Sequence, residues 1–161
     1  MNSSKIIKKH YERYLKDPID FLNIEEPTDI YKWNFALVAP KDTPWEDEIY
    51  SGVIEFPSNY PFSPPVIKFA PGLYHPNVYK DGKVCISILH EGVDETNYED
   101  TSERWSPVQT IQTIFLSIIS LFVLAAVSAT VGNSIPFIAT LPVELYILIG
   151  PLLNEGFLNS K

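Results

Sequence analysis

The sequence is poor in cysteine: its 161 residues include one, Cys85. A single thiol cannot form an internal disulfide, and it is too few for a cysteine zinc site. A secreted fold built on disulfides is therefore excluded. Free cysteine is among the most buried residue types, so Cys85 is either an inert core side chain or a lone nucleophile.

Other absences narrow the class of protein. Basic residues number 12 against 20 acidic ones, and the net charge of −8 argues against non-specific nucleic-acid binding. The N-terminal segment has no apolar run of signal-peptide length, so the start of the chain is predicted to be cytosolic. There is no phosphate-binding glycine loop, and His10, His75 and His90 lack metal-ligand spacing, so we expect no metal and no bound cofactor.

The first half of the chain has the pattern of a helix followed by strands. Apolar residues near helical spacing predict a helix over residues 3–16, capped by Ser3 or Ser4. The proline-rich segment 57–65 is predicted as a rigid turn, because proline cannot occupy a central strand. Alternating, aromatic-rich segments predict three antiparallel strands, at residues 30–40, 49–56 and 66–70. This order indicates an α+β fold with a meander sheet.

The second half of the chain begins with a loop that contains glycine and proline and leads to Cys85. Its later part is strongly apolar. Residues 91–103 contain acidic residues and no basic one, and they are predicted to form an exposed loop. Ser106 and Pro107 suit the cap and the first position of a helix predicted over residues 108–121. No charged side chain lies between Arg104 and Glu144.

The residues around Cys85 decide between the inert and the nucleophilic interpretation. A cysteine protease needs a histidine base, and His75 and His90 are both candidates for contact with the thiol. His75 precedes Pro76 in a turn-like segment, which favours a role in holding the loop through backbone hydrogen bonds. The Asn77 amide is suited either to donate to a developing oxyanion or to brace the loop.

The run HPNVYKDGKVCISIL, from His75 to Leu89, closely resembles the active-site segment of ubiquitin-conjugating enzymes. In that family the thioester-forming cysteine follows the asparagine of an HPN tripeptide by eight positions, the spacing of Asn77 and Cys85 (85 − 77 = 8). Three further segments resemble the family in the same order: WNFALVAPKDTPWEDEIYSGVIEFP, NYPFSPPVIKF and ERWSPVQTI. The resemblance covers roughly residues 5 to 121 and implies a catalytic core over residues 1–121.

The resemblance implies an acyltransferase and its partners. Cys85 would accept ubiquitin from an activating enzyme, which uses ATP, and pass it to a lysine of a protein substrate or growing chain with a RING-type ligase. Asn77 would stabilise the tetrahedral intermediate, directly or by bracing the loop, and His75 and Pro76 would structure that loop. Phe62 matches the aromatic residue presented to ligases, and the helix face with Lys5, Lys8 and Lys9 matches the region that docks the activating enzyme. The alternative interpretation, that these lysines form only a solvated helix face, stays open.

The acidic segment places the chain nearest to the acidic-loop subgroup of that family. The resemblance implies ubiquitin-dependent degradation, with lysine-48 linkage left open. It implies a cytoplasmic location, with the cytosolic face of the endoplasmic reticulum or the nucleus as alternatives. We hypothesise that the loop carboxylates help to orient or deprotonate an incoming lysine. Those carboxylates belong to Asp94, Glu95, Glu99 and Asp100.

After Leu121 the resemblance stops, and residues 122–161 form a divergent apolar tail that supplies no counterpart of the family's gate residue. Three interpretations of this tail are open: a mistranslated frame or retained intron, a membrane anchor or hairpin, and a helix packed in the core. Two other functions also stay open. One is a catalytically impaired, ubiquitin-binding variant of the fold, and the other is a membrane-associated protein.

Overall fold

The computed structural model describes residues 2–92 and 103–131. In this part of the chain the elements follow one another as a helix, four strands and a second long helix, which confirms the predicted α+β class. The helices are α1 (Ser3–Lys16) and α2 (Ile111–Val131), and the strands are β1 (Leu22–Ile24), β2 (Lys32–Val38), β3 (Ile49–Glu55) and β4 (Val66–Phe69). The strands pair antiparallel in the order β1-β2-β3-β4, so each strand pairs with its neighbour in sequence.

The sheet buries one face, and both helices pack on it. Along β2 the side chains of Trp33, Phe35 and Leu37 are buried, because alternate residues of a strand point to the same side. The Trp33 ring lies 5.4 Å from Tyr11 of α1, and the Phe35 ring lies 4.9 Å from Phe115 of α2. The two helices therefore cover neighbouring parts of one hydrophobic core.

The prediction of α1 is confirmed, but the predicted cap is wrong. Asn2 caps the helix, since its side chain accepts a hydrogen bond from the Ser4 amide at 3.1 Å. Ser3 is instead buried, and its hydroxyl donates to the Ser58 carbonyl at 2.9 Å. Ser3 therefore contributes to tertiary packing, which helix-end rules alone do not foresee.

Strand β1 was absent from the sequence-based prediction. It has three residues, and its register places Leu22 opposite Leu37. The Tyr14 hydroxyl of α1 donates to the Leu22 carbonyl at 2.9 Å and accepts from the Ile24 amide at 3.1 Å. A strand this short carries little periodicity of its own, and bonds from another element, together with its pairing to β2, hold it in place.

Helix α2 differs from its prediction at both ends. It begins at Ile111 rather than at residue 108, so Ser106 and Pro107 lie before it. The Thr110 hydroxyl accepts from the Thr113 amide at 3.2 Å, and the Thr113 hydroxyl accepts from the Thr110 amide at 2.9 Å. These reciprocal bonds cap the helix in the manner of a capping box.

At its other end α2 passes through the predicted core limit at Leu121 without a break and ends at Val131. Phe122, the first residue of the predicted tail, is buried and packs against the sheet residue Phe69, with ring centroids 6.4 Å apart. Within the described ranges, no helix is both long enough and apolar enough to cross a membrane. Residues 132–161 lie outside the described residues, and the interpretations of the tail stay predictions.

The loop after β4 is turned by Gly82. This glycine has a φ of 84°, and its carbonyl accepts from the Phe69 amide at 2.9 Å while its own amide donates to the Tyr79 carbonyl at 2.9 Å. A Cβ atom at this position would collide with the Phe69 carbonyl oxygen. Only glycine therefore fits where the loop crosses the edge strand.

Replacing Gly82 with alanine should destabilise the fold by about 2–4 kcal/mol, because strain at positive φ adds to a backbone collision. Gly92 is a matched control: its φ is 76°, but no atom lies within 4 Å of an added Cβ. Gly92→Ala should cost only about 1 kcal/mol. Denaturant unfolding followed by tryptophan fluorescence measures both variants. Equal losses in the two variants would contradict the proposed collision at Gly82.

Candidate active site

The segment that carries Cys85 is a narrow loop tied to the edge of the sheet. Isolated β-bridges pair Lys68 with Lys83 and Val78 with Val84. The Val84 amide donates to the Ile67 carbonyl of β4 at 2.9 Å. With these bonds in place the Val84 side chain is buried in the core, while that of the next residue, Cys85, is only partly buried. The thiol is therefore held on a fixed backbone at the surface.

Asn77 and Cys85 come together across this loop. The Cys85 amide donates to the Asn77 carbonyl at 2.8 Å, and the Asn77 side-chain Nδ2 lies 3.4 Å from the Cys85 carbonyl oxygen. The backbone bond is short, whereas the side-chain bond is long and therefore weak. The side-chain amide of Asn77 thus lies next to Cys85, and its hydrogen bond there is weak.

His75 lies beneath the loop rather than beside the thiol. Its side chain is buried, and Nδ1 accepts a hydrogen bond from the Asn77 amide at 3.0 Å. The imidazole packs between Trp45, at 4.9 Å, and Phe122, at 4.8 Å, measured between ring centroids. Burial lowers the pKa of His75, which favours the neutral ring that this acceptor role requires.

The next residue, Pro76, is exposed. The Val78 amide donates to the His75 carbonyl at 3.0 Å, and this bond closes a turn that contains Pro76 and Asn77. His75 and Pro76 therefore have the backbone setting expected of loop-structuring residues. Phe122 of α2 packs against the His75 ring beneath this loop, and this contact connects the loop to α2.

His90, the other candidate for contact with the thiol, does lie beside it. The Cys85 Sγ atom is 3.5 Å from His90 Nε2, and the Tyr79 hydroxyl donates to Sγ at 3.3 Å. Tyr79 was not singled out from the sequence, because a tyrosine in a turn is usually an ordinary surface residue. The hydrogen bond to Cys85 is the main cause that raises the pKa of Tyr79.

A groove of roughly 420 Å³ runs past the sulfur. The proline-rich turn contributes Ser63, Pro64 and Pro65 to its lining. The lining also includes Tyr79, Lys83, Cys85, His90, Glu91 and Arg104. The Trp105 indole donates to the Pro61 carbonyl at 2.9 Å, and its amide donates to the His90 carbonyl at 2.9 Å. Trp105 therefore fastens the proline-rich turn to the segment after the thiol.

The four acidic-loop residues Asp94, Glu95, Glu99 and Asp100 lie outside the described residues. The flanking residues meet at the groove, where Arg104 donates to the Glu91 carbonyl at 2.9 Å and the Ser63 hydroxyl donates to the Glu91 carboxylate at 2.7 Å. Both ends of the acidic segment therefore lie close to the site that contains Cys85.

The remaining predicted residues lie on the surface. Phe62 is 63% exposed on the proline-rich turn, immediately before the groove residue Ser63. Lys5, Lys8 and Lys9 are exposed on α1, opposite its buried residue Ile7. Among the described residues, no three histidine, cysteine, aspartate or glutamate side chains come together in a way that could hold a metal ion.

Comparison with known proteins agrees with this geometry. Residues 6–133 match the family model described as ubiquitin-conjugating enzyme. Ubiquitin-conjugating enzyme E2 7 of Arabidopsis thaliana is 42% identical over 122 residues, which cover 74% of each chain. Ubiquitin-conjugating enzyme E2-18 kDa of Schizosaccharomyces pombe is 50% identical over 94 residues, 58% of this chain and 57% of that protein.

Solved structures agree as well. The structure of human ubiquitin-conjugating enzyme E2 G1 superposes with a TM-score of 0.66 at 34% identity, covering 75% of this chain and 94% of that one. The match of the family model extends past Leu121, as α2 does. The chain therefore belongs to the ubiquitin-conjugating enzyme family, whose members are ubiquitin transferases that form thioesters.

Proposed function

We propose that Cys85 carries ubiquitin as a thioester and passes it to a lysine of a protein substrate or of a growing ubiquitin chain, together with a RING-type ligase. The observation that carries this proposal is the position of the single thiol of the chain. It lies partly exposed in a groove, on a loop in which Asn77 lies beside it. Family membership supports ubiquitin, an activating enzyme and a ligase as the general partners.

Two acyl transfers make up the reaction. In the first, the Cys85 sulfur attacks the thioester carbonyl of ubiquitin held on the activating enzyme, and the thiol of that enzyme leaves with the proton. In the second, a lysine amine attacks the new thioester, an amide bond forms, and the Cys85 thiol is released. Splitting the transfer in this way is covalent catalysis. ATP is consumed by the activating enzyme upstream, so we propose no cofactor for this chain.

Two surfaces are proposed to dock the protein partners. Phe62 presents a large apolar ring to solvent beside the groove, where a ligase would be close to the thioester. Lys5, Lys8 and Lys9 give α1 an exposed basic face, which suits an acidic surface on the activating enzyme. We further propose a cytoplasmic location for the reaction.

We propose that the acidic loop acts on the lysine acceptor, because both of its ends lie at the groove. Changing Asp94, Glu95, Glu99 and Asp100 together to asparagine or glutamine should slow discharge to lysine by about tenfold, since carboxylates attract and help to deprotonate an ammonium group. Single-turnover discharge of the preformed thioester to free lysine measures this. Unchanged discharge would contradict the role of the loop, and charging by the activating enzyme serves as the control for intact Cys85.

A charging assay tests the main proposal. The full chain is incubated with activating enzyme, ATP and ubiquitin, and non-reducing gels should show a ubiquitin adduct that reducing agent removes. Omitting ATP or the activating enzyme should prevent the adduct. If full-length protein that unfolds cooperatively gives no adduct, the proposed function is wrong.

A further inference from the structure

Two polar side chains contact the Cys85 sulfur. Tyr79, six residues before Cys85, donates its hydroxyl proton to Sγ at 3.3 Å. His90, five residues after it, brings Nε2 to 3.5 Å from Sγ. Both distances are within the range for hydrogen bonds to sulfur, whose radius is larger than that of oxygen. The nucleophile therefore has both a hydrogen-bond donor and a group that can take a proton within reach.

Backbone hydrogen bonds fix the main chain of both residues. The Tyr79 amide donates to the Lys83 carbonyl and its carbonyl accepts from the Gly82 amide, each at 2.9 Å. The His90 amide donates to the Ser87 carbonyl at 2.8 Å, which closes the 3₁₀ turn Ser87–Leu89. The His90 carbonyl accepts from the Trp105 amide at 2.9 Å. The fold therefore fixes the backbone positions from which both side chains reach the sulfur.

We propose that His90 takes the proton of the Cys85 thiol when the sulfur attacks, and that Tyr79 stabilises the resulting thiolate by hydrogen bonding. This inference rests on the proposed function for its acyl substrate. The S–H bond breaks as the Nε2–H bond forms, so His90 becomes a cation beside the thiolate. The proton then passes to the sulfur that leaves with the activating enzyme, so that enzyme regains its thiol and His90 returns to its neutral form.

The surroundings of the sulfur fit this assignment better than they fit any other base. Among the residues that the structure describes, the charged or titratable side chains that line the groove besides Cys85 and His90 are Tyr79, Lys83, Glu91 and Arg104. Glu91 accepts from the Ser63 hydroxyl at 2.7 Å, and the structure gives it no contact with Sγ. Lys83 and Arg104 are cations, which favour a thiolate but are poor bases at neutral pH. The Tyr79 hydroxyl is a protonated donor near pH 7, because a phenol ionises only near pH 10, and its hydrogen bond to Cys85 raises its pKa further.

Alkylation of the free protein by iodoacetamide tests this proposal without ubiquitin, and the single cysteine makes the reaction specific to Cys85. Because the thiolate is the reacting form, His90→Gln should react about five- to tenfold more slowly than the natural protein near pH 7. The two rates should converge above about pH 9.5, where most thiols are ionised without help. Tyr79→Phe should be about two- to threefold slower near pH 7.

Two control variants are matched in chemistry and lie away from the sulfur. Tyr74→Phe removes a hydroxyl from a side chain that is 93% exposed. His10→Gln removes a histidine of α1 that is hydrogen-bonded to the Tyr60 hydroxyl. Both controls should keep the alkylation profile of the natural protein. If His90→Gln matches the natural protein at every pH, or is slower by the same factor at every pH, the proposal is overturned.

A measurement on the unmutated protein covers the case in which His90→Gln does not fold. The His90 ring proton signals are titrated by NMR before and after alkylation of Cys85. Alkylation removes the proton that the sulfur can give to Nε2, so the response of the His90 signals to pH should change, and an unchanged response overturns the proposal. The charging assay is separate. Absence of charging would defeat the proposed function, while the alkylation profile would still decide whether His90 and Tyr79 act on the sulfur.

Discussion

Replacing Cys85 with alanine should abolish the ubiquitin adduct, and replacing it with serine should leave an adduct that survives reducing agent. Alanine has no nucleophile, so charging should fall to the background of the assay. Serine supplies an oxygen in nearly the same place, and an oxygen ester resists exchange with thiols. Serine should also be charged much more slowly, because its hydroxyl is a weak nucleophile without a strong base. Gel shifts with and without reducing agent measure both variants.

The single cysteine makes this experiment unambiguous. No other residue of the chain can form a thioester, so an adduct of the alanine variant that reducing agent still removes would contradict the assignment. An adduct that resists reducing agent in the alanine variant would instead be an amide on a lysine. Because Cys85 is partly exposed, both substitutions should change the free energy of unfolding by no more than about 1 kcal/mol. Unfolding curves therefore separate loss of chemistry from loss of fold.

The parts of the fold predicted from sequence are those whose pattern is local. The α1 helix and the three longer strands have apolar residues at helical or alternating spacing, and the structure places these elements within a few residues of their predicted limits. The short strand β1 was missed, because the bonds from Tyr14 that hold it come from another element. The same holds for Ser3, which is oriented by Tyr31 and Ser58 rather than by the helix it begins.

The two limits of α2 differ from the prediction for different reasons, a local one at its start and a tertiary one at its end. The Ser-Pro pair is a good local start signal, yet the reciprocal Thr110–Thr113 bonds begin the helix later. The sequence resemblance stopped at Leu121, but the next residue, Phe122, packs on His75 and Trp45 beneath the Cys85 loop. The limit predicted at Leu121 is therefore neither the edge of the core nor the end of the family match.

The candidate site was predictable where residues close in sequence meet across one loop. The family resemblance, which includes the spacing of Asn77 and Cys85, implied that the two residues share a site, and the backbone bond between them brings them together. The groove was not predictable, because it needs Ser63 from the proline-rich turn and Arg104 from beyond the acidic segment. The choice between His75 and His90 as a neighbour of the sulfur also needed coordinates. One of the two histidines is buried under the loop, and the other points to the thiol.

Asn77→Ala should slow transfer of ubiquitin from Cys85 to lysine by about 10²- to 10³-fold, the usual loss when one oxyanion donor is removed. The Asn77 side chain makes only a 3.4 Å contact with the Cys85 carbonyl, so little energy binds it in the resting protein. The strong bond in this loop, from the Cys85 amide to the Asn77 carbonyl, belongs to the backbone and survives the substitution. We therefore expect a large loss of rate with a loss of stability below about 1 kcal/mol.

The alternative role of Asn77, a brace for the loop, predicts a different set of results. A loosened loop would lower the free energy of unfolding and would change the alkylation rate of Cys85, whereas loss of an oxyanion donor leaves both unchanged. Asn34→Ala is the matched control, since it removes one exposed side-chain bond, to Glu25 at 2.9 Å, away from the sulfur. It should discharge ubiquitin at the natural rate. Slow discharge of Asn77→Ala together with altered alkylation would assign Asn77 to the brace, because both effects would then follow from a displaced thiol.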